Sequence, residues 1–155
     1  MSYLGYLLGL SIGAIIFAFV FVIAIYVLFA VSHMKALQAL GYDKPWLAWI
    51  PYANWFACAD CVSIGEDSVT LFGSFSVPAF VFKFWWVVPL ALLAIPLNDR
   101  IEQIINLALN IVFLGCTYAK MYARLDGRTE RDEQVLGCVS GFLPIVAVIK
   151  FLTIR

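Results

Sequence analysis

Charged residues are scarce in this sequence. Only 13% of its 155 residues are Asp, Glu, Lys or Arg, whereas 64% are hydrophobic. Soluble domains have about a quarter charged residues and about half apolar ones, and a chain of this length cannot bury so much apolar surface in one soluble core. Ten basic and ten acidic residues leave no net charge, so there is no electrostatic basis for binding nucleic acid. The composition predicts an integral membrane protein whose main partner is the lipid bilayer.

Histidine and familiar catalytic motifs are nearly absent. His33 is the one histidine in the sequence, which excludes a metal site built from several histidines, and we expect it to cap a helix or lie at the membrane interface. The sequence has no HExxH pair, phosphate-binding loop or dinucleotide fingerprint, and its apolar segments hold no central carboxylate. We therefore expect neither enzymatic activity nor a bound cofactor.

Cysteine is present but forms no disulfide-rich pattern. The four cysteines lie in or beside apolar segments, which is typical of small buried side chains rather than of a secreted framework. Cys58 and Cys61 form a single C-x-x-C pair, whereas structural zinc sites usually take four ligands from two such pairs. We expect these thiols to fill apolar space. A thiol- or metal-dependent membrane enzyme that uses Cys58 and Cys61 is an alternative.

Long apolar runs dominate what is present. They predict an all-α integral membrane protein with one membrane domain, residues 1–155, and four transmembrane helices. The predicted spans are about residues 4–31, 76–97, 101–122 and 134–154. Between the first two lies a Trp-rich segment, about residues 45–64, with Pro51 near its middle. We expect this segment to form a broken interfacial or re-entrant helix, because proline interrupts a helix.

Basic residues are distributed unequally between the two sides of this predicted topology. One side holds Lys35, Lys44, Lys120, Arg124, Arg128 and Arg131, and the other holds Arg100, Arg155 and, near the end of the last span, Lys150. Because basic loops of membrane proteins face the cytoplasm, four crossings predict that both termini lie outside.

Polar residues recur at helical spacing along the third predicted span. Steps of three and four residues keep them on one helix face, where hydrocarbon cannot satisfy their hydrogen bonds. We call this face the polar seam; it consists of Gln103, Asn106, Asn110, Thr117, Lys120 and Arg124, with Phe113 interrupting it. One interpretation is hydrogen bonding between neighbouring helices. The other is the wall of a pore formed by several copies, with Lys120 and Arg124 at its inner mouth and Phe113 as a constriction.

Glycines and aromatic residues form two further sets. Glycines spaced four residues apart let helices approach closely, and they are Gly5, Gly9, Gly13, Gly137 and Gly141. Aromatic and polar residues suited to the headgroup level are Trp46, Trp49, Tyr52, Asn54, Trp55, Lys83, Trp85 and Trp86. We expect Lys83 to extend its ammonium group to this interface rather than to act inside the membrane.

A short motif follows the first predicted span. Gly41 precedes Trp46-Leu47-Ala48-Trp49-Ile50-Pro51-Tyr52-Ala53-Asn54, and further short matches follow in order at Trp85-Trp86, Ile95-Pro96, Ala119-Lys120-Met121-Tyr122 and Leu143-Pro144. These residues resemble a family of small multispanning bacterial membrane proteins of unknown function, which carry a glycine followed by Trp-x-Ala-x-Ile-Pro-x-x-Asn. The likeness covers about residues 35–155, although the family pattern Ala-Lys-x-Phe-Gly-Lys ends here in Ala123-Arg124. The resemblance implies a bacterial inner-membrane protein and assigns no reaction.

These observations favour a non-enzymatic inner-membrane protein that self-associates or is a subunit of a larger membrane complex. Its expected partners are the bilayer and copies of itself or other membrane-protein subunits. The alternative is an oligomeric channel or small-solute transporter that uses the polar seam.

Overall fold

The protein is mostly helical. The computed structural model describes residues 3–92, 94 and 98–154, and side chains from Ile12 onward. The helices are α1 (Tyr3–Ala39), α2 (Ala53–Val62), α3 (Ala79–Lys83), α4 (Val87–Leu92), α5 (Asp99–Leu109), α6 (Gly115–Asp126), α7 (Glu130–Phe142) and α8 (Pro144–Leu152). A 3-10 helix covers Pro45–Trp49, and a π-helical segment covers Asn110–Leu114. Strands β1 (Ser68–Leu71) and β2 (Phe75–Pro78) pair as an antiparallel hairpin.

Two helical stretches are long and apolar enough to cross a membrane. One is Ile12–Ala39 of α1, and the other is Asp99–Asp126, in which α5, the π-helical segment and α6 are continuous. The second stretch ends at Gly127, whose φ of 63° is the left-handed conformation that glycine adopts without steric cost. We call the end of the molecule near Asp99 the outer end and the end near Asp126 the inner end.

The Trp-rich segment forms a hairpin of two short helices, which we call the Trp-rich hairpin. Its 3-10 helix lies against α1, where the Tyr26 hydroxyl donates to the carbonyl of Trp49. The chain then turns at Pro51 and Tyr52, and α2 returns to the inner end, where Arg124 binds its last carbonyls. The break falls at Pro51 because proline lacks the N–H that a continuing helix needs.

The second predicted span is not one helix. Its first residues belong to β2, and the short helices α3 and α4 follow. Lys83 pairs with Asp60 of α2 at 2.8 Å, while Leu90 lies farther along, beside Asn106 of α5. This part of the chain therefore runs from the inner half toward the outer end as a broken segment. Residues 95–97, with which the predicted span ends, lie outside the described residues.

The last predicted span, 134–154, is a helical hairpin. The chain reverses at Pro144, so α8 returns to the inner end beside α1. There the Lys35 ammonium donates to the carbonyls of Leu152 and Ile154, at 2.9 and 2.7 Å. Hydropathy did not distinguish this hairpin from a single crossing because both of its arms carry apolar residues.

The two described ends of the chain therefore lie at opposite ends of the molecule. Helix α1 begins at Tyr3 and reaches the inner end only at its C-terminal turns, whereas Ile154 lies beside Lys35. Lys150 of α8 pairs with Asp126 at 2.6 Å, which places it at the inner end as well. The expectation that both termini lie outside assumed a single crossing helix over residues 134–154, and the side of the membrane on which each terminus lies stays a prediction.

Glycines set the distance between α7 and the long helix Asp99–Asp126. A Cβ on Gly137 would overlap the carbonyl oxygen of Gly115 and lie 2.6 Å from the Cβ of Ala119. A Cβ on Gly141 would lie 2.8 Å from the carbonyl oxygen of Asn110. Gly13, by contrast, has no atom within 4 Å of such a Cβ, and the surroundings of Gly5 and Gly9 lie outside the described residues. The backbones of α6 and α7 are in direct contact at these two α7 glycines.

We predict that Gly137→Ala destabilises the protein by about 1–3 kcal/mol, because the new methyl group has no space between α7 and α6. The matched control is Gly13→Ala, which should be neutral or stabilise α1 by up to about 1 kcal/mol, since alanine favours a helix and nothing lies nearby. Thermal unfolding of both variants in nanodiscs measures the difference. A Gly137→Ala protein as stable as the wild type would contradict the observed contact.

Candidate functional site

The inner half of the polar seam is occupied by the protein's own side chains. Thr117 is buried and its hydroxyl donates to the carbonyl of Phe113, at 2.8 Å. Lys120 is also buried, and its ammonium lies 2.8 Å from both carboxylate oxygens of Glu130, in the first turn of α7. An ammonium group that is buried in this way is stabilised by pairing with a carboxylate.

Arg124 completes the inner half by binding the C-terminus of α2. Its guanidinium donates to the carbonyl oxygens of Cys61 and Val62, at 2.9 and 2.7 Å, and lies 3.9 Å from Glu66. The last carbonyls of a helix lack partners within the helix and carry partial negative charge, so a cation is favourable there. The side chain of Arg124 therefore holds the C-terminus of α2 in place.

The outer half of the seam has a different environment. Gln103 is exposed, whereas Asn106 and Asn110 line a cavity of about 260 Å³ together with Tyr52, Trp55, Pro89 and Leu90. We call this cavity the asparagine cleft. Asn110 begins the π-helical segment, and such segments occur frequently at functional sites because they widen the helix locally.

Aromatic rings separate the two halves of the seam. Phe113 stacks on Trp85 with ring centroids 5.9 Å apart, and Trp85 stacks on Trp55 at 5.6 Å. Trp86 packs beside Tyr52, at 5.9 Å. The structure therefore brings Asn106 and Asn110 together in the cleft, and the aromatic cluster separates them from Lys120 and Arg124.

The residues expected at the headgroup level fall into two groups. Trp46, Trp49 and Tyr52 are exposed, whereas Trp85 and Asn54 are buried, with 2% and 3% exposure, and Trp55 and Trp86 are half-buried. The broken segment and the Trp-rich hairpin place Trp85 and Asn54 inside the molecule, away from its surface. Lys83 is held by Asp60, at 2.8 Å, rather than extending alone into the headgroups.

Four polar atoms near the turn at Pro51 and Tyr52 are buried without a hydrogen-bond partner among the described residues. They are Asn54 Nδ2, Trp85 Nε1, Trp86 Nε1 and Asn106 Oδ1. An unpartnered polar atom in an apolar environment costs free energy, on the order of 1–3 kcal/mol in proteins. Unsatisfied hydrogen-bond donors and acceptors beside a cleft make it a candidate binding site, because a bound ligand would supply the missing partners.

His33 does not lie at a helix end, where the sequence led us to expect it. It is fully buried, and its Nε2 lies 2.8 Å from the hydroxyl of Tyr118. Its Nδ1 lies 2.9 Å from the carbonyl of Phe29, which can only accept, so Nδ1 carries the proton and Nε2 accepts from Tyr118. The helix continues to Ala39, so His33 is not near its end and does not cap it. The sequence offered one signal for this contact: Tyr118, which carries a hydroxyl, lies next to Thr117 of the polar seam.

The C-x-x-C pair lies in α2 and is buried. Burial raises the pKa of both thiols, Cys58 and Cys61, above the ordinary range, so both are protonated near neutral pH. Within the described part of the chain, no group of three or more His, Cys, Asp or Glu side chains is arranged to hold a metal ion. In this geometry the two thiols act as small apolar groups.

We predict that Cys58 and Cys61 react with N-ethylmaleimide at pH 7.5 at least about tenfold more slowly in the folded protein than after unfolding, because only the thiolate attacks. Cys138, which is half-buried, is the reference within the same chain. Mass spectrometry of timed samples gives each rate, with and without a zinc chelator. Protection that the chelator removes would indicate a metal–thiolate site instead.

Comparison with known proteins does not identify a family for this chain. No protein-family model matches the chain, and no curated protein or solved structure is significantly similar to it. The likeness of the Trp46–Asn54 motif to small bacterial membrane proteins therefore stays a prediction.

Proposed function

We propose that this protein is a non-enzymatic subunit of an inner-membrane assembly and that it associates, with copies of itself or with other membrane proteins, through its outer half. The observation that carries the proposal is the contrast between the two ends of α1. From Ile12 to Leu28 the helix is apolar on every side and exposed, whereas Ala36 and Leu37 are fully buried. A helix that is apolar all round belongs in lipid or against other helices.

A polar residue on α5 favours protein rather than lipid alone as the neighbour. Gln103 is exposed on α5. Amide side chains inside a membrane bind to neighbouring helices, at about 0.6 kcal/mol on average and up to about 1.7. A second subunit that contacts α5 would supply a partner for this amide, while lipid chains would not.

We further propose three crossings of the bacterial inner membrane instead of the four expected from hydropathy. These are α1, the broken segment formed by α3 and α4, and the helix Asp99–Asp126, with the Trp-rich hairpin and the α7–α8 hairpin entering from the inner side. Basic residues support this orientation, because one end of the molecule holds Lys35, Lys44, Lys83, Lys120, Arg124, Arg128, Arg131 and Lys150. By the positive-inside rule that end faces the cytoplasm.

A second candidate, an oligomeric channel or small-solute transporter, is favoured by the asparagine cleft. Broken helices beside a polar cleft are how many transporters build their substrate sites. The ion pair of Lys120 with Glu130 and the stack of Phe113 on Trp85 close the path toward the inner end, so transport would need these contacts to open. Solute flux into proteoliposomes that is lost in Asn110→Leu would favour this candidate over a purely structural subunit.

We predict that Gly13→Leu weakens association at least about tenfold, because leucine would remove the flat strip that glycines offer to an approaching helix. The matched control is Ala18→Leu, which adds similar bulk to an exposed position on nearly the opposite face of α1. Native mass measurement of protein extracted into nanodiscs, over a range of protein-to-lipid ratios, reports the subunit number. A wild-type protein that is a lone monomer at every ratio would contradict the proposal.

A further inference from the structure

A second cavity shares Tyr52 and Trp55 of the Trp-rich hairpin with the asparagine cleft. It has a volume of about 290 Å³, lies between the middle of α1 and the Trp-rich hairpin, and is partly open to the outside. Tyr26 and Phe29 of α1 form one wall, and Tyr52, Asn54 and Trp55 form the other. We call it the Asn54 cavity. Its volume is at the lower end of those that hold small organic molecules.

Asn54 supplies the one amide among the residues that line this cavity. Its side-chain oxygen accepts a weak hydrogen bond from the thiol of Cys58, at 3.5 Å, so its position is fixed by α2. Its Nδ2 is buried and has no partner among the described residues, and the residue as a whole is only 3% exposed. An acceptor oxygen on a bound molecule would satisfy this donor and recover its desolvation cost.

The walls of the cavity define the rest of the ligand. None of the described residues that line it is charged, so a carboxylate, phosphate or ammonium group would be buried there without a counter-ion. Tyr26, Phe29, Tyr52 and Trp55 are four of its eight lining residues, and aromatic faces favour a planar ring by stacking. The exposed side chains of Ile50 and Tyr52 place the cavity at the surface of the protein, where α1 meets the bilayer.

We propose that the Asn54 cavity binds a neutral, planar lipophile that carries a ring carbonyl, with that carbonyl accepting a hydrogen bond from Asn54 Nδ2. This is a binding activity in addition to assembly, and it does not depend on the subunit number. It involves no covalent or redox step.

The test compares two probes of the same shape. The first is 2,3-dimethyl-1,4-naphthoquinone, whose blocked ring does not alkylate thiols at carbon 3, and the second is 2,3-dimethylnaphthalene, which lacks the carbonyls. Equilibrium dialysis against nanodiscs that contain the full chain, with empty nanodiscs subtracted, measures binding to the protein rather than to lipid. We expect saturable binding of one quinone per chain and at least about tenfold weaker binding of the hydrocarbon.

Two amide variants provide the decisive comparison. Asn54→Leu should weaken quinone binding at least about tenfold and leave hydrocarbon binding unchanged, whereas Gln38→Leu, which removes an exposed amide of α1 outside this cavity, should leave both unchanged. If Asn54→Leu does not fold, Ile50→Trp fills the same cavity from an exposed position and should abolish binding of both probes. Equal binding of the two probes, or equal effects of the two amide variants, would overturn the proposal.

Discussion

The hydrogen bond between His33 and Tyr118 is the contact on which the inner half of this molecule depends. It joins the two helices that are long enough to cross a membrane, and both side chains are fully buried. The ring of Phe151 packs against both, with centroids 5.1 Å from His33 and 5.7 Å from Tyr118, so α8 is fixed by the same pair. Neither polar group can find water at this position, and therefore each requires the other.

Cations at helix C-termini extend this arrangement across the inner end. Arg124 binds the last carbonyls of α2, and Lys35 binds those at the end of α8, so each hairpin is held where its second helix ends. The close contact of Gly137 with α6 holds the first arm of the α7–α8 hairpin. From Ile12 to Ile25 the side chains of α1 are exposed, and we propose that this surface faces lipid and other subunits. The surface proposed for association and the two cavities all lie toward the outer half.

The sequence predicted those features that depend on local chemistry. Overall apolarity predicted a mostly helical protein with helices long and apolar enough to cross a membrane. It did not predict features set by long-range packing. The run after Gln134 has the hydropathy of a crossing helix, yet the chain reverses at Pro144 because α7 fits closely against α6. The polar seam was recognisable from helical spacing, but its division into a paired inner half and an open outer half depends on Glu130 and other distant partners.

A double-mutant cycle between His33 and Tyr118 tests the central claim most directly. The free energy of unfolding would be measured in nanodiscs for the wild type, His33→Leu, Tyr118→Phe and the double variant. Each single change should cost about 1–3 kcal/mol, because it leaves a buried partner unsatisfied. The double variant should cost less than the sum of the two, by about 1 kcal/mol or more. Strictly additive losses would show that the two side chains do not interact and would contradict this account of how the long helices are joined.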